Sequence, residues 1–215
     1  VYLVTWIGLL IALVPSTISV FRFERYGNSV KIRLSIVIWA NCIIELVSAL
    51  LFISGVKNNM PLYHVYIGME FFLVTYLFSA ILPNVLTPAR QLTLSGAFVA
   101  ALLLKLLDWE SIFEFPSVLR PVESGVLIGL SVLYFLSVMK SEEFINLFKS
   151  ANFWISSAML IYFSANMLIF AYTDYLAEQS MELFSAVWYI HTGLNVIFYS
   201  LLTVALLCRT PTAKY

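Results

Sequence analysis

Charge is what this chain has least of. Asp, Glu, Lys and Arg together make up 11% of its 215 residues, against about 25% in a soluble domain. Too few charged groups are present to cover an ordinary solvated surface. Twelve basic residues balance twelve acidic ones, so no net charge draws the chain to nucleic acid. Cysteine is equally scarce: Cys42 and Cys208 lie in different segments and suggest no disulfide framework. There is no HExxH pair for zinc and no GxSxG nucleophile elbow. The last apolar run, 183–207, contains no lysine, which argues against a retinal Schiff base; no cofactor is expected. The first apolar run lacks a basic n-region and a small-residue cleavage site, so no cleavable signal peptide is expected either.

What is present is hydrocarbon. The chain is 61% hydrophobic and 16% aromatic, with a mean hydropathy of +0.93. This is the composition of an integral membrane protein. A span needs about 20 apolar residues at a rise of about 1.5 Å each. Seven stretches qualify, at about 2–21, 34–55, 62–82, 92–107, 121–139, 152–172 and 183–207. The expected fold is therefore all-α, a single bundle of seven transmembrane helices. Between them, RYGNS (25–29), GVKNNMP (55–61), LPNVLTPAR (82–90) and FPSVLRP (115–121) carry the residues that stop helices. Pro121 suits a first helical turn, and Pro15 should kink the first helix. The longest connection, 108–121, reads as an interfacial segment with Trp109, Phe113 and Phe115 in the headgroups.

Seven spans put the two ends on opposite sides, and the basic residues orient them. One side collects Arg22, Arg25, Lys31, Arg33, Arg90, Lys140, Lys149, Arg209 and Lys214. The other has Lys57, Lys105 and Arg120. The N-terminus is expected outside and the C-terminus in the cytoplasm. Acidic residues fall mostly the other way: Asp108, Glu110, Glu114, Asp174, Glu178 and Glu182 are outer, and only Glu24, Glu142 and Glu143 are inner. Helix 3 can be laid on helix 7 so that Gly68 meets Gly193 and Glu70 meets Asn195. SALLFI (48–53) likewise resembles SANMLI (164–169). Such matches are compatible with a 3+1+3 repeat in which helix 4 is the linker.

The informative residues are those that hydrocarbon penalises. A charge at the bilayer centre costs about 2.5–3.5 kcal/mol even on a lenient insertion scale, so such groups should face the bundle interior. Helix 2 carries Asn41 and Glu45, helix 3 Tyr66 and Glu70, helix 6 Tyr162 and Asn166, and helix 7 His191 and Asn195. Each pair is four residues apart and shares a face. From the rise, Glu70 and His191 lie about 12 Å below the outer end, Glu45 roughly 15 Å and Asn166 roughly 9 Å. Glu45, Glu70, His191, Tyr66, Asn166 and Asn195 are accordingly the candidate lining of one outward-open cavity. Asn41, Asn166 and Asn195 also have a plain role, since amides join transmembrane helices by hydrogen bonds. His191 is expected to bond Glu45 or Glu70 as a titratable pair. Those three are also the only candidate metal ligands, under a hydrolase reading. Gly125 and Gly129 form a GxxxG motif, the best candidate seam for an oligomer.

In layout the chain resembles the seven-helix membrane input modules of bacterial sensor kinases. The likeness rests on seven outside-to-inside helices, short loops and the polar stripes YHVYIGME (63–70) and WYIHTGLN (188–195). It implies an outward-facing pocket for a small ligand, read by a cytoplasmic or membrane partner, in a bacterial inner membrane. A small-solute transporter using the same cavity and an intramembrane metal-dependent hydrolase are the alternative readings. Ceramidase-type hydrolases hold zinc with three histidines and an aspartate, a set this chain lacks. Small sugar transporters usually carry a proline in the first helix of each repeat, and after Pro121 helix 5 has none.

Overall fold

The computed structural model describes residues 2–22, 29–56, 58–108, 110–141 and 146–208. Arg25, Lys57, Trp109, Arg209 and Lys214, with Glu24, Glu142 and Glu143, lie outside the described residues. So do the side chains of Arg22, Glu110, Asp174 and Glu178. Seven α-helices account for most of the rest: α1 (Tyr2–Arg22), α2 (Ser29–Ile53), α3 (Met60–Ile81), α4 (Pro88–Lys105), α5 (Leu119–Met139), α6 (Ala151–Gln179) and α7 (Met181–Leu207). Short 3-10 turns occur at Glu110–Phe113 and Leu147–Lys149, and no strand occurs among the described residues.

Local chemistry explains the helix ends. Thr87 caps α4, its hydroxyl accepting from the Arg90 amide at 3.4 Å, and Pro88 takes the first helical position where its missing N–H costs nothing. Ser180 alone separates α6 from α7. Its backbone is extended, and its hydroxyl accepts from the amides of Glu182 and Leu183. α2 starts at Ser29 rather than near 34, so Lys31 and Arg33 belong to its first turns, not to a loop. α5 starts at Leu119 rather than 121, because the Arg120 amide bonds the Pro116 carbonyl at 3.0 Å.

Five helical stretches among the described residues are long and apolar enough to cross a membrane: Ser29–Ile53, Met60–Ile81, Leu119–Met139, Ala151–Thr173 and Ser185–Leu207. α1 contributes a shorter apolar stretch, Ile7–Phe21. Their outward faces carry large apolar side chains such as Leu10, Leu50, Val65, Leu168 and Ile190, all more than half exposed. A soluble monomer does not leave such a surface in water. The fold is that of a helical membrane protein.

Six helices close a ring in the order α1, α2, α3, α5, α6, α7, and α7 packs back on α1. α4 packs on the outside of α3. Small polar groups attach it: the Gln91 amide donates to Thr75 Oγ1 of α3 at 3.3 Å, and Thr75 meets Ser95 of α4 at 2.9 Å. Such bonds between helices are worth roughly 0.6 kcal/mol each in a membrane. One half of the ring is filled with hydrocarbon. Leu34 and Ile38 of α2, Leu77 and Phe78 of α3, Leu127 of α5, Met159 of α6 and Leu202 of α7 are all buried there. At this end Arg33 of α2 donates to the Tyr76 carbonyl and Ser79 hydroxyl of α3, both at 2.6 Å, and lies over the Tyr76 ring. Lys31 donates to the Leu206 and Cys208 carbonyls closing α7. Two cations from α2 thus sit near the C-terminal ends of α3 and α7, where the helix dipole favours positive charge.

Candidate functional site

The opposite half of the ring holds a cavity of about 400 Å³. Asn59 and Met60 before and at the start of α3, Phe115 ahead of α5 and Ser185 near the start of α7 line it, so it sits at that end of the bundle. Of the six candidates, Glu45, Tyr66, Glu70, His191 and Asn195 line it directly. Asn166 does not line it. It is fully buried behind His191, to whose Nδ1 its side-chain oxygen bonds at 2.7 Å.

The centre of the charge arrangement is a residue assigned above to an outer loop. Arg120 is 1% exposed, and its guanidinium donates to both Glu70 and Glu123. Glu70 is 2% exposed and Glu123 is completely buried. Charge in such a place requires partners, and each member supplies them to the others. The Tyr66 hydroxyl adds a 2.6 Å bond to the second oxygen of Glu70. Aromatic rings complete the enclosure: the guanidinium carbon lies 4.7 Å from the Phe170 ring centre, 5.5 Å from Tyr66 and 5.8 Å from Tyr63 and Phe163. Arg120 Nε and Glu123 Oε1 are buried without a hydrogen-bond partner among the described residues. α3 and α5 are thereby joined by an ion triad at the base of the cavity.

His191 does not make the expected bond to Glu45 or Glu70. Glu70 is already engaged by Arg120 and Tyr66, and α6 comes close enough for Asn166 to take the imidazole instead. The other ring nitrogen meets the Asn195 amide at 3.2 Å. The result is a chain of three polar side chains running from α6 along one face of α7. Trp188 meets the same imidazole edge-on at a centroid distance of 4.8 Å. The i, i+4 spacing of His191 and Asn195 gave the direction of this face. Its partner depended on which helix lay opposite.

Glu45 stands apart. It lines the cavity, and among the described residues it makes no hydrogen bond or ion pair. Gly8 of α1 backs it, since a Cβ there would sit 3.7 Å from Glu45 Oε2. The site therefore combines one guanidinium with three carboxylates: Glu70 and Glu123 paired with it, and Glu45 on another wall.

Sequence reasoning missed Arg120 because FPSVLRP reads as a turn. The signal was there, since Arg120 and Glu123 have the i, i+3 spacing of a helical ion pair. Phe115 is likewise not in the headgroups. It is buried and stacks on Tyr63 at 5.2 Å, whereas Phe113 is exposed. No group of three His, Cys, Asp or Glu side chains placed to hold a metal occurs among the described residues. His191, Glu45 and Glu70 share the cavity without forming one. Nothing within 4 Å faces a Cβ added at Gly125 or Gly129, so this motif is not used for packing within the described bundle. No protein-family model matches the chain, and no curated protein or solved structure matches it either.

Proposed function

We propose that this chain is a receptor-like sensory module of a bacterial inner membrane. Seven helices span the bilayer, N-terminus outside and C-terminus in the cytoplasm, arranged as two three-helix units with α4 as linker. The cavity faces outward and takes a small ligand or a proton, and its occupancy is passed to a cytoplasmic or membrane partner. For a second copy, the face carrying Gly125 and Gly129 is the proposed seam.

The observation that carries this reading is the asymmetry of the ring. The cavity and the buried ion triad occupy one half, and the other half is packed mainly with hydrocarbon, from Leu34 to Leu202. A transporter needs a polar path through both halves, and the buried hydroxyls of this plug, such as Ser35 and Ser131, are spent on carbonyls of their own helices. The plug offers a lever instead. The helices that line the cavity are tied together at the far end by Lys31 and Arg33, so a tilt of α3 or α7 moves groups at the inner surface. The ring of α1–α3 and α5–α7 with α4 outside supports the repeat and its two-unit layout.

Membrane-impermeant maleimide on intact cells tests the arrangement. Ser48→Cys, at the cavity wall, is expected to label from outside, and native Cys208 only after permeabilisation. Reversal of that pattern refutes the orientation. Flux of a labelled solute into proteoliposomes, abolished by Glu70→Gln, refutes sensing in favour of transport.

A further inference from the structure

We infer that the ligand of this cavity is a small organic cation, an amine or quaternary ammonium held at Glu45 by the carboxylate and the surrounding rings. The inference rests on the outward-open cavity proposed above and adds the chemistry of its occupant.

Charge makes the first argument. Among the described residues Arg120 is the one cation lining the cavity, and both of its carboxylate partners are already in place. An anionic ligand would enter a space lined by two carboxylates, Glu45 and Glu70, and one cation whose charge is already shared by Glu70 and Glu123. A neutral ligand would leave Glu45 as it is, a carboxylate without a partner among the described residues. A cation would give Glu45 a partner. A monocation matches the single group left over.

The walls make the second argument. Eight of the nineteen lining residues are aromatic, among them Tyr63, Tyr66, Trp188 and Tyr199. Ring faces attract cations, most strongly where water is excluded. The protein already uses this chemistry on itself, since Tyr63 and Tyr66 line the cavity and also flank the guanidinium of Arg120. Rings plus carboxylate is the way this bundle holds a positive charge. At about 400 Å³ the space lies near the small end of the roughly 300–1,000 Å³ range of ligand pockets. That favours a compact ammonium over a long polyamine. Around the same end, Asp108, Glu114 and Glu182 are exposed against a single described lysine, Lys105, a negative balance of the kind that draws cations.

Thiol chemistry at the cavity wall reads the field that a cationic ligand would feel. Ser48 lies one helical turn from Glu45, on the same wall. In a Cys42→Ala, Cys208→Ser background, Ser48→Cys is treated in detergent with trimethylammonium-ethyl, neutral methyl and anionic sulfonatoethyl thiosulfonates. Each rate is referred to that of the same reagent with a free thiol. The cationic reagent is expected to react about tenfold or more faster than the anionic one, the effect of a full charge a few ångströms away at intermediate dielectric. Glu45→Gln should narrow that ratio to about threefold or less. Tetramethylammonium should protect the thiol, and its neutral carbon isostere should not. Equal rates for all three reagents, or a preference that survives Glu45→Gln, overturn the cation and leave the cavity standing. Failure of every reagent to react with the folded protein overturns the open cavity itself, and the inference with it.

Discussion

Arg120→Met asks the sharpest energetic question of this fold. The substitution keeps an unbranched apolar stem and removes the guanidinium with its charge. Glu70 and Glu123, 2% and 0% exposed, lose the cation they share and remain deep in the bundle. Breaking a buried pair by deleting one partner costs about 3–5 kcal/mol, about a thousandfold in the folded-to-unfolded ratio. Neutralising all three members is a different perturbation, because no charge is stranded. Arg120→Met combined with Glu70→Gln and Glu123→Gln is therefore expected to recover most of the loss, ending within about 1–2 kcal/mol of the parent. Glu123→Gln alone leaves Arg120 and Glu70 matched one to one, and should be tolerated. Unfolding by SDS in mixed micelles, followed by circular dichroism, measures each difference. A single variant within about 1 kcal/mol of the parent would show that the triad does not carry buried charge. A triple variant as unstable as the single one would show that shape, not charge, was lost.

Tyr66→Phe deletes the 2.6 Å bond to Glu70 and should cost about 1.5–3 kcal/mol in the same assay, as for a hydrogen bond to a charged group. Asn166→Leu removes the α6 partner of His191. It is expected to destabilise by roughly 0.6 kcal/mol, at most about 1.7, and the imidazole NMR signals should shift. Lys31→Met frees the carbonyls at the end of α7. Amide hydrogen exchange in its last turn should rise about fivefold, the loss of roughly 1 kcal/mol of terminal charge–dipole stabilisation.

Much of the architecture was legible along the chain. The expected helices match the observed ones within a few residues except where a boundary depends on context: α2 begins early, and α6 runs on from about 172 to Gln179. Periodicity also placed five of the six candidate residues on one cavity, because polar groups in apolar helices have few places to point. The failures share a cause. Arg120 was sorted by its neighbours Pro116 and Pro121 into a loop, and Phe115 into a lipid interface. Both were decided by what lies across the bundle, the carboxylate of Glu70 and the ring of Tyr63.

Hydropathy is a sum over neighbours in the chain, so the sequence alone determined that this is a helical membrane protein and which faces of its helices avoid lipid. Partnership is not such a sum. Glu70 and Arg120 are 50 residues apart and His191 and Asn166 are 25 apart, and each pairing depends on the rotation and neighbour of a whole helix. Only the closed ring decided that Arg120 is buried, that His191 belongs to Asn166, and that Glu45 faces the cavity without a partner among the described residues.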